Sequence, residues 1–548
     1  MARVPRARAD DRRRRARGAP RLGRAAVSKG TSVGSREFAR RAKTARRQAA
    51  SKPPRRRRTL PSTSLDWRKA LRSVPRAAWI CALIACLNAV CWSIVTPPFQ
   101  VMDEPSHFAY TQQLAENEAL PISSQYQFSP EENAVLQTIR QGEVQGRQED
   151  FTISSSSEQR LLNRALNANL PRYASGRVGG AASGPPLYYL LETVPYGLAS
   201  GGTLLDQLEL MRLLSALIGG LTALFVFLFV REAVPAVPWA WTVGGLSVAL
   251  APMLGYMSGA VNPDSMLFAV SAAVFYCLAR AFRRGLTRRN ALTIGALIAV
   301  GLLTKLNFIG LTPGIVLGLI VLSVRAARVL GRRTAVTSLA LALAIAASPA
   351  CVYLFVNLLS NRPALGIVST TLDGQGRSLL SAISYIWQFY LPRLPGMTNY
   401  FPGISTTRQL WFNKSVGIYG WLDTTFPTWV YNVALLPASL LAILAIRGLL
   451  AGRDALRRRL VEAAVYAAMG LGLAVLIGAS AYFNQSESLG FVEPRYLLPL
   501  LPLVGALIAL AARGAGRRWG PTVGALIVVL FLAHDIFSQL LVVGRFYA

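Results

Sequence analysis

Runs of about 20 apolar residues recur along the chain, separated by short polar stretches, and each run has the length needed to cross a hydrocarbon core of roughly 30 Å. The pattern predicts spans at about 77–96, 209–230, 238–259, 263–282, 290–305, 308–325, 335–359, 426–446, 460–482, 495–512 and 521–541. That is an all-α, polytopic transmembrane protein of about eleven spans. The segment "GPPLYYLLETVPYGLAS" (184–200) is shorter and is broken by Glu192, Pro195 and glycine, so it reads as an interfacial or re-entrant element.

Charge sets an expected orientation. The chain has 548 residues, 52% of them hydrophobic, and a net charge of +33. Residues 1–76 hold 26 Lys and Arg against four acids and almost no large apolar side chains, so they are expected to be a disordered cytoplasmic tail. The partner that suits this tail is anionic lipid; nucleic acid is disfavoured, because no aromatic residues interleave with the basic ones. The loops "RRGLTRR" (283–289), "RAARVLGRR" (325–333), "RGLLAGRDALRRR" (447–459) and "RGAGRRW" (513–519) are all basic and fall on one side if 184–200 does not cross. The N-terminus is then cytoplasmic and the C-terminus extracytoplasmic. The transmembrane part, 77–548, opens outward through a long loop at 97–208 and a second at 360–425.

The chemistry-bearing residues gather on that outer side. "TPPFQVMDEPSHFAY" (96–110) puts Asp103, Glu104 and His107 just beyond the first span, in what reads as a short amphipathic helix near the membrane surface. Adjacent carboxylates repel, which raises the pKa of one and lets it act as a general base; the plainer account is a capping or solvated pair. Tyr188 and Tyr189 follow two prolines at the interface, where tyrosine is common in any case. Asn262 and Asp264 open an inward-going span, as an N-cap pair would. Lys305 ends a span in "LLTKLNF", and "GFVEPRYLLPLLP" carries Glu493, Arg495 and Tyr496 at the top of another. Arg495 offers a planar fork suited to phosphate, although an interfacial Arg–Tyr anchor would look the same. His534 and Asp535 lie inside the last predicted span, either as a functional pair or as a packing pair. The five cysteines all fall in predicted spans with no CxxC pair, which indicates neither a zinc site nor a disulfide framework. The cytoplasmic loops contain no glycine-rich phosphate cradle.

Taken together, the acidic pair, "PPLYY", the Asn-Pro-Asp motif, the Lys of "LLTK" and the late "RYLLP" resemble the GT-C glycosyltransferase superfamily, which includes protein O-mannosyltransferases and the aminoarabinose transferase of lipid A. "PPFQVMDEPSHFAY" more closely resembles a bacterial family of membrane proteins known only as a domain of unknown function. The resemblance covers roughly residues 77–510. It implies a polyprenyl-phosphate-linked sugar as donor, a glycan, lipid or protein acceptor, and inverting transfer outside a bacterial cytoplasmic membrane. Asp103 would match the catalytic base, with Glu104 sharing or orienting that role. Lys305 and Arg495 would neutralise the leaving phosphate. His107, Tyr188, Tyr189, Asn262, Asp264, Glu493 and Tyr496 would line the substrate site. Some relatives use a divalent metal and others none; the single acid pair and the scarcity of histidine favour none. With about seven residues after the last predicted span, acceptor recognition would fall to segments 97–183 and 360–425. Two rival functions make different predictions. A flippase for lipid-linked saccharide needs charges along a central path, whereas mid-span charges here are mostly His534 and Asp535. A scaffold acting through the basic tail would lose its function with residues 1–70.

Overall fold

Inside a bilayer every backbone N–H and C=O must find a partner within the chain, so the apolar runs fold as helices. A computed structural model describes residues 73–144, 155–173, 175–235, 237–360, 362, 378–483 and 493–547. The basic tail lies outside the described residues. Helix α1 (Arg76–Val95) turns into α2 (Glu104–Asn117), and α3 (Leu187–Leu198) precedes α4 (Leu204–Ala233). Then come α5 (Pro238–Ala249), α6 (Pro252–Ser258), α7 (Asp264–Arg284), α8 (Arg288–Thr304), α9 (Thr312–Leu330) and α10 (Arg332–Leu359). The chain continues through α11 (Leu379–Tyr390), α12 (Thr428–Ala451), α13 (Leu460–Phe483), α14 (Leu501–Gly514) and α15 (Gly516–Tyr547). Two antiparallel ribbons are the only strand pairs among the described residues: β1 (Tyr126–Gln127) with β2 (Arg177–Val178), and β3 (Ile418–Tyr419) with β4 (Thr424–Thr425).

Nine helical segments among the described residues are long and apolar enough to cross a membrane, or ten if a bent pair counts as one span. The bent pair is α5 and α6, which meet at 55° within the stretch expected to be one straight span. Pro252 lacks an N–H and forces Ala251 out of helical geometry, to φ −73° and ψ 119°. The eleventh expected span is α8, whose 17 residues cover only about 25 Å. It stops at Lys305, which is fully extended, and a 3₁₀ turn (Leu306–Leu311) leads into α9. Helix α3 has 12 residues, about 18 Å, and is not among the span-length segments.

Local sequence starts and stops these helices. Thr203 and Asp206 form a capping box at the head of α4, and Gly285 and Gly331, each at φ +86°, close α7 and α9. Helix α4 packs against α1 and α7, α8 against α10, and α14 against α5 and α12. Charge marks one end of the bundle. There Arg459 donates to the carbonyls of Ala233 (2.6 Å) and Glu232 (3.1 Å), while the Glu232 carboxylate pairs with Arg283 and Arg284. The candidate site lies at the other end of α4 and α7.

Small residues let these helices approach closely. A Cβ added at Gly472 of α13 would run into the carbonyl oxygen of Gly310, whereas one at Gly470 would meet only the Leu500 side chain, at 3.7 Å. Gly472→Ala is therefore expected to destabilise the protein by about 1–3 kcal/mol. Gly470→Ala should be neutral or gain up to about 1 kcal/mol. Thermal unfolding of the two variants in detergent checks the difference.

Candidate active site

The turn between α1 and α2 is built around one buried ion pair. Glu104, the first residue of α2, is fully buried and faces Arg212 of α4, with Arg212 Nε donating to Oε1 at 2.8 Å and Nη2 to Oε2 at 2.6 Å. The same carboxylate accepts the backbone N–H of Phe99 (3.0 Å) and of Val261 (3.1 Å). The remaining Arg212 N–H groups donate to the carbonyls of Ser93, Thr96 and Pro97, at 3.0 to 3.2 Å. The pair thus ties together the end of α1, the turn, α4 and the loop before α7. It holds Phe99 and Asp103 in left-handed backbone geometry, at φ 63° and 66°, a conformation that costs non-glycine residues about 1–3 kcal/mol each.

This arrangement separates the two adjacent acids. Glu104 has both oxygens committed and no exposure. The Asp103 side chain remains 38% exposed and reaches Arg495 Nη2 at 3.2 Å. The surface helix expected here is instead enclosed, with every residue from Glu104 to Gln113 buried. It packs beneath α3 and the 3₁₀ turn Gly179–Ser183, so its polar residues serve contacts rather than solvent.

Arg495 is the centre of the cluster. It is 2% exposed, with Nε 3.1 Å from Glu493 Oε2 and 3.9 Å from Asp264 Oδ2. Two methionine sulfurs, Met257 at 3.8 Å and Met102 at 3.7 Å, complete its surroundings. Asp264 in turn accepts from Lys305 Nζ at 2.7 Å. Asn262 accepts the Asp264 N–H at 3.0 Å, which fixes the start of α7. Tyr496 lies under both cations, with its ring centre 5.8 Å from Lys305 Nζ and 5.4 Å from the Arg495 guanidinium. The Lys305 side chain is 23% exposed, so Lys305 and Asp103 form the open edge of an otherwise buried cluster. Burial pushes the Glu493 carboxyl up, against the opposing pull of Arg495, and pushes the nearby Lys414 ammonium down.

His107 and Tyr189 line the adjoining wall. His107 Nδ1 is 2.9 Å from the Tyr189 hydroxyl, and Tyr189 stacks on Tyr110 with ring centres 3.8 Å apart. Burial, followed by the Lys305 charge, pushes His107 down to about 3, so this imidazole stays neutral at physiological pH. Tyr188 points elsewhere, to a buried group in which its hydroxyl lies 2.7 Å from Ser215, which donates to Glu192 at 3.0 Å. His534 and Asp535 also lie apart: His534 binds the Val416 carbonyl at 2.6 Å, and Asp535 accepts from Trp92 and Gln539 at 3.0 Å each. These residues join α15 to α1 and to the segment before β3. Among the described residues no three His, Cys, Asp or Glu side chains are grouped to hold a metal ion. The site carboxylates Asp103, Asp264 and Glu493 face Arg495 and Lys305.

The sequence profile of the predicted membrane proteins designated DUF2142 matches residues 86–504. The chain belongs to that family. No curated protein matches the sequence. Among solved structures, this DUF2142 chain is similar to the apo oligosaccharyltransferase of Archaeoglobus fulgidus, with TM-score 0.43 and 12% identity over 85% of this chain and 56% of that one. It is similar to the Saccharomyces cerevisiae protein O-mannosyltransferase Pmt1–Pmt2 complex bound to the sugar donor, with TM-score 0.31 and 15% identity over 55% of this chain and 37% of that one. ArnT from Cupriavidus metallidurans gives TM-score 0.28 and 16% identity, over 81% of this chain and 78% of that one. The chain thus corresponds to about half the length of the archaeal enzyme. All three overlaps are partial, and the chemistry below rests on this chain's own residues.

Arg212 and Lys414 were not singled out in the sequence. An arginine among the apolar residues of a span was the available signal for Arg212, since such a charge needs a buried partner. Nothing local pointed to Lys414.

Two expectations follow from this geometry. Arg212→Gln strands the buried Glu104 carboxylate and should cost about 3–5 kcal/mol, read as lost folded protein or a lowered melting temperature. His107 is neutral when folded but takes up a proton near pH 6.5 when unfolded, so its contribution is present above pH 6.5 and is lost as pH falls towards 3. Between pH 7.5 and 5.0 the wild type should therefore lose about 2 kcal/mol more stability than His107→Gln.

Proposed function

We infer that this membrane protein is a glycosyltransferase that moves a sugar from a polyprenyl-phosphate donor to an acceptor hydroxyl, with inversion at the anomeric carbon. The observation that carries this reading is the pairing of one exposed carboxylate, Asp103, with Arg495 and Lys305 at the end of the bundle opposite the arginine-rich loops. A base and an anion site side by side suit a reaction whose nucleophile loses a proton while its leaving group becomes a phosphate.

In this reading the acceptor hydroxyl gives its proton to Asp103 as its oxygen bonds to the anomeric carbon. The bond from that carbon to the phosphate oxygen breaks, and the electron pair leaves with the polyprenyl phosphate. Lys305, the more exposed cation, meets the phosphate directly. Arg495 holds the Asp103 carboxylate at 3.2 Å and supplies the second positive charge. Asp264 and Glu493 hold the two cations in place, and a proton taken up by Glu493 would remove one of the three negative charges that surround them. Neutral His107 and Tyr189 offer hydrogen bonds to sugar hydroxyls without adding charge. The site would face outward from a bacterial cytoplasmic membrane, because the arginine-rich loops lie at the opposite end.

Mass spectrometry of lipid-linked sugars and released surface glycan, comparing wild type with Asp103→Asn at matched abundance, tests the reading. Removal of a general base is expected to slow transfer by about 100- to 10,000-fold. One sugar should disappear from the glycan while its polyprenyl-phosphate form accumulates. Unchanged glycan and lipid pools would remove Asp103 as the base.

A further inference from the structure

A second feature lies at the arginine-rich end, far along the helices from Asp103. Helices α9 and α13 touch through glycines: a Cβ on Gly314 would run into Met469, and one on Gly318 would lie 3.0 Å from Val465 Cγ1. Beyond Gly318 this contact gives way to a cleft of about 410 Å³, lined by Ile320, Val321, Val324, Arg325, Arg328 and Val461. Its apolar lining is accessible, with Ile320 43%, Val324 59% and Val461 42% exposed.

The order of residues along α9 is informative. Ile320, Val321, Val324, Arg325 and Arg328 are spaced by three and four, so they share one side of the helix. The apolar members come first, and the two arginines are centred about 7 Å further along the axis, towards the basic loop. Neither arginine pairs with a carboxylate among the described residues; Arg325 has only the Phe282 ring, at 5.6 Å. The nearest acid along α13 is Glu462, and its carboxylate is already held by Arg459 at 2.7 Å and by the Tyr466 hydroxyl at 2.9 Å. The cleft therefore combines an apolar trough with two unneutralised guanidinium groups at its mouth. A phosphate would satisfy the arginines, but only a ligand with a hydrocarbon part would also cover the trough.

We propose that this cleft binds one anionic phospholipid, with its phosphate between Arg325 and Arg328 and the first methylenes of an acyl chain on Ile320, Val321, Val324 and Val461. A lipid seated here bridges α9 and α13 at the end where the glycine contacts no longer hold them together. The proposal is independent of the transfer reaction.

The test titrates the purified full chain in detergent with dioleoyl phosphatidylglycerol, dioleoyl phosphatidylcholine or inorganic phosphate, and reads retained lipid by native mass spectrometry. One phosphatidylglycerol should be retained in preference to phosphatidylcholine. Arg325→Gln with Arg328→Gln should weaken its binding roughly 30-fold. Arg332→Gln with Arg333→Gln removes the same charge from the next turn and should weaken it less than about threefold. Val324→Trp fills the trough with both arginines intact and should also reduce retention, which keeps the proposal testable if the double arginine variant misfolds. Equal losses in the two arginine pairs would mean diffuse surface charge and overturn the site. Displacement of the lipid by inorganic phosphate at equal concentration, or retention unchanged by Val324→Trp, would overturn the acyl-chain part.

Discussion

The ion pair between Glu104 and Arg212 is the constraint on which the site depends. Both partners are almost fully buried, and such a pair is tolerable only if every remaining hydrogen-bonding position is filled. Here five backbone groups fill those positions: two N–H groups on the carboxylate and three carbonyls on the guanidinium. The cost of desolvating two charges is thereby turned into a fixed path for the chain as it leaves α1. That path puts Asp103 into left-handed geometry and points it away from its neighbour, towards Arg495. Two acids adjacent in sequence end up in different environments, one sealed in the bundle and one open at its edge.

The second cluster follows from the first. Once Asp103 is fixed, it shares Arg495 with Glu493 and Asp264, and Asp264 also holds Lys305. The resulting network is anchored at the starts of α7 and of the 3₁₀ turn Pro494–Leu500 before α14, and at the break between α8 and α9. Each of these is a place where a helix begins or stops, so backbone irregularity and charge occur together. Irregular backbone is tolerated there because it is buried in protein and lines a polar site. The rigid bundle below, closed by glycine contacts, holds these chain ends in register.

Much of the fold was legible in the sequence, because apolar run length alone identifies a spanning helix. It was less legible where proline acts: Pro252 was visible, but a bend of this size depends on how α5 and α6 pack. For the site, Asp103, His107, Tyr189, Asp264, Lys305, Glu493, Arg495 and Tyr496 were named from short motifs, and the structure brings them into one neighbourhood. The motifs could not reveal direction. Tyr188 and Tyr189 are adjacent, yet on helix α3 they face different groups, and only packing decides which faces the ions. Nor could sequence separate Glu104 from Asp103, since the deciding partner, Arg212, is 108 residues away. Such long-range pairings leave no local trace.

The most direct test of the account is the binding of a short-chain polyprenyl phosphate, the leaving group of the proposed reaction, to purified protein by calorimetry. The cluster geometry predicts that Lys305→Gln weakens binding about tenfold, while Asp103→Asn binds as tightly as wild type or tighter, because it removes a negative charge beside the phosphate. Loss of binding on Asp103→Asn with no effect from Lys305→Gln would contradict the assignment of base and anion site.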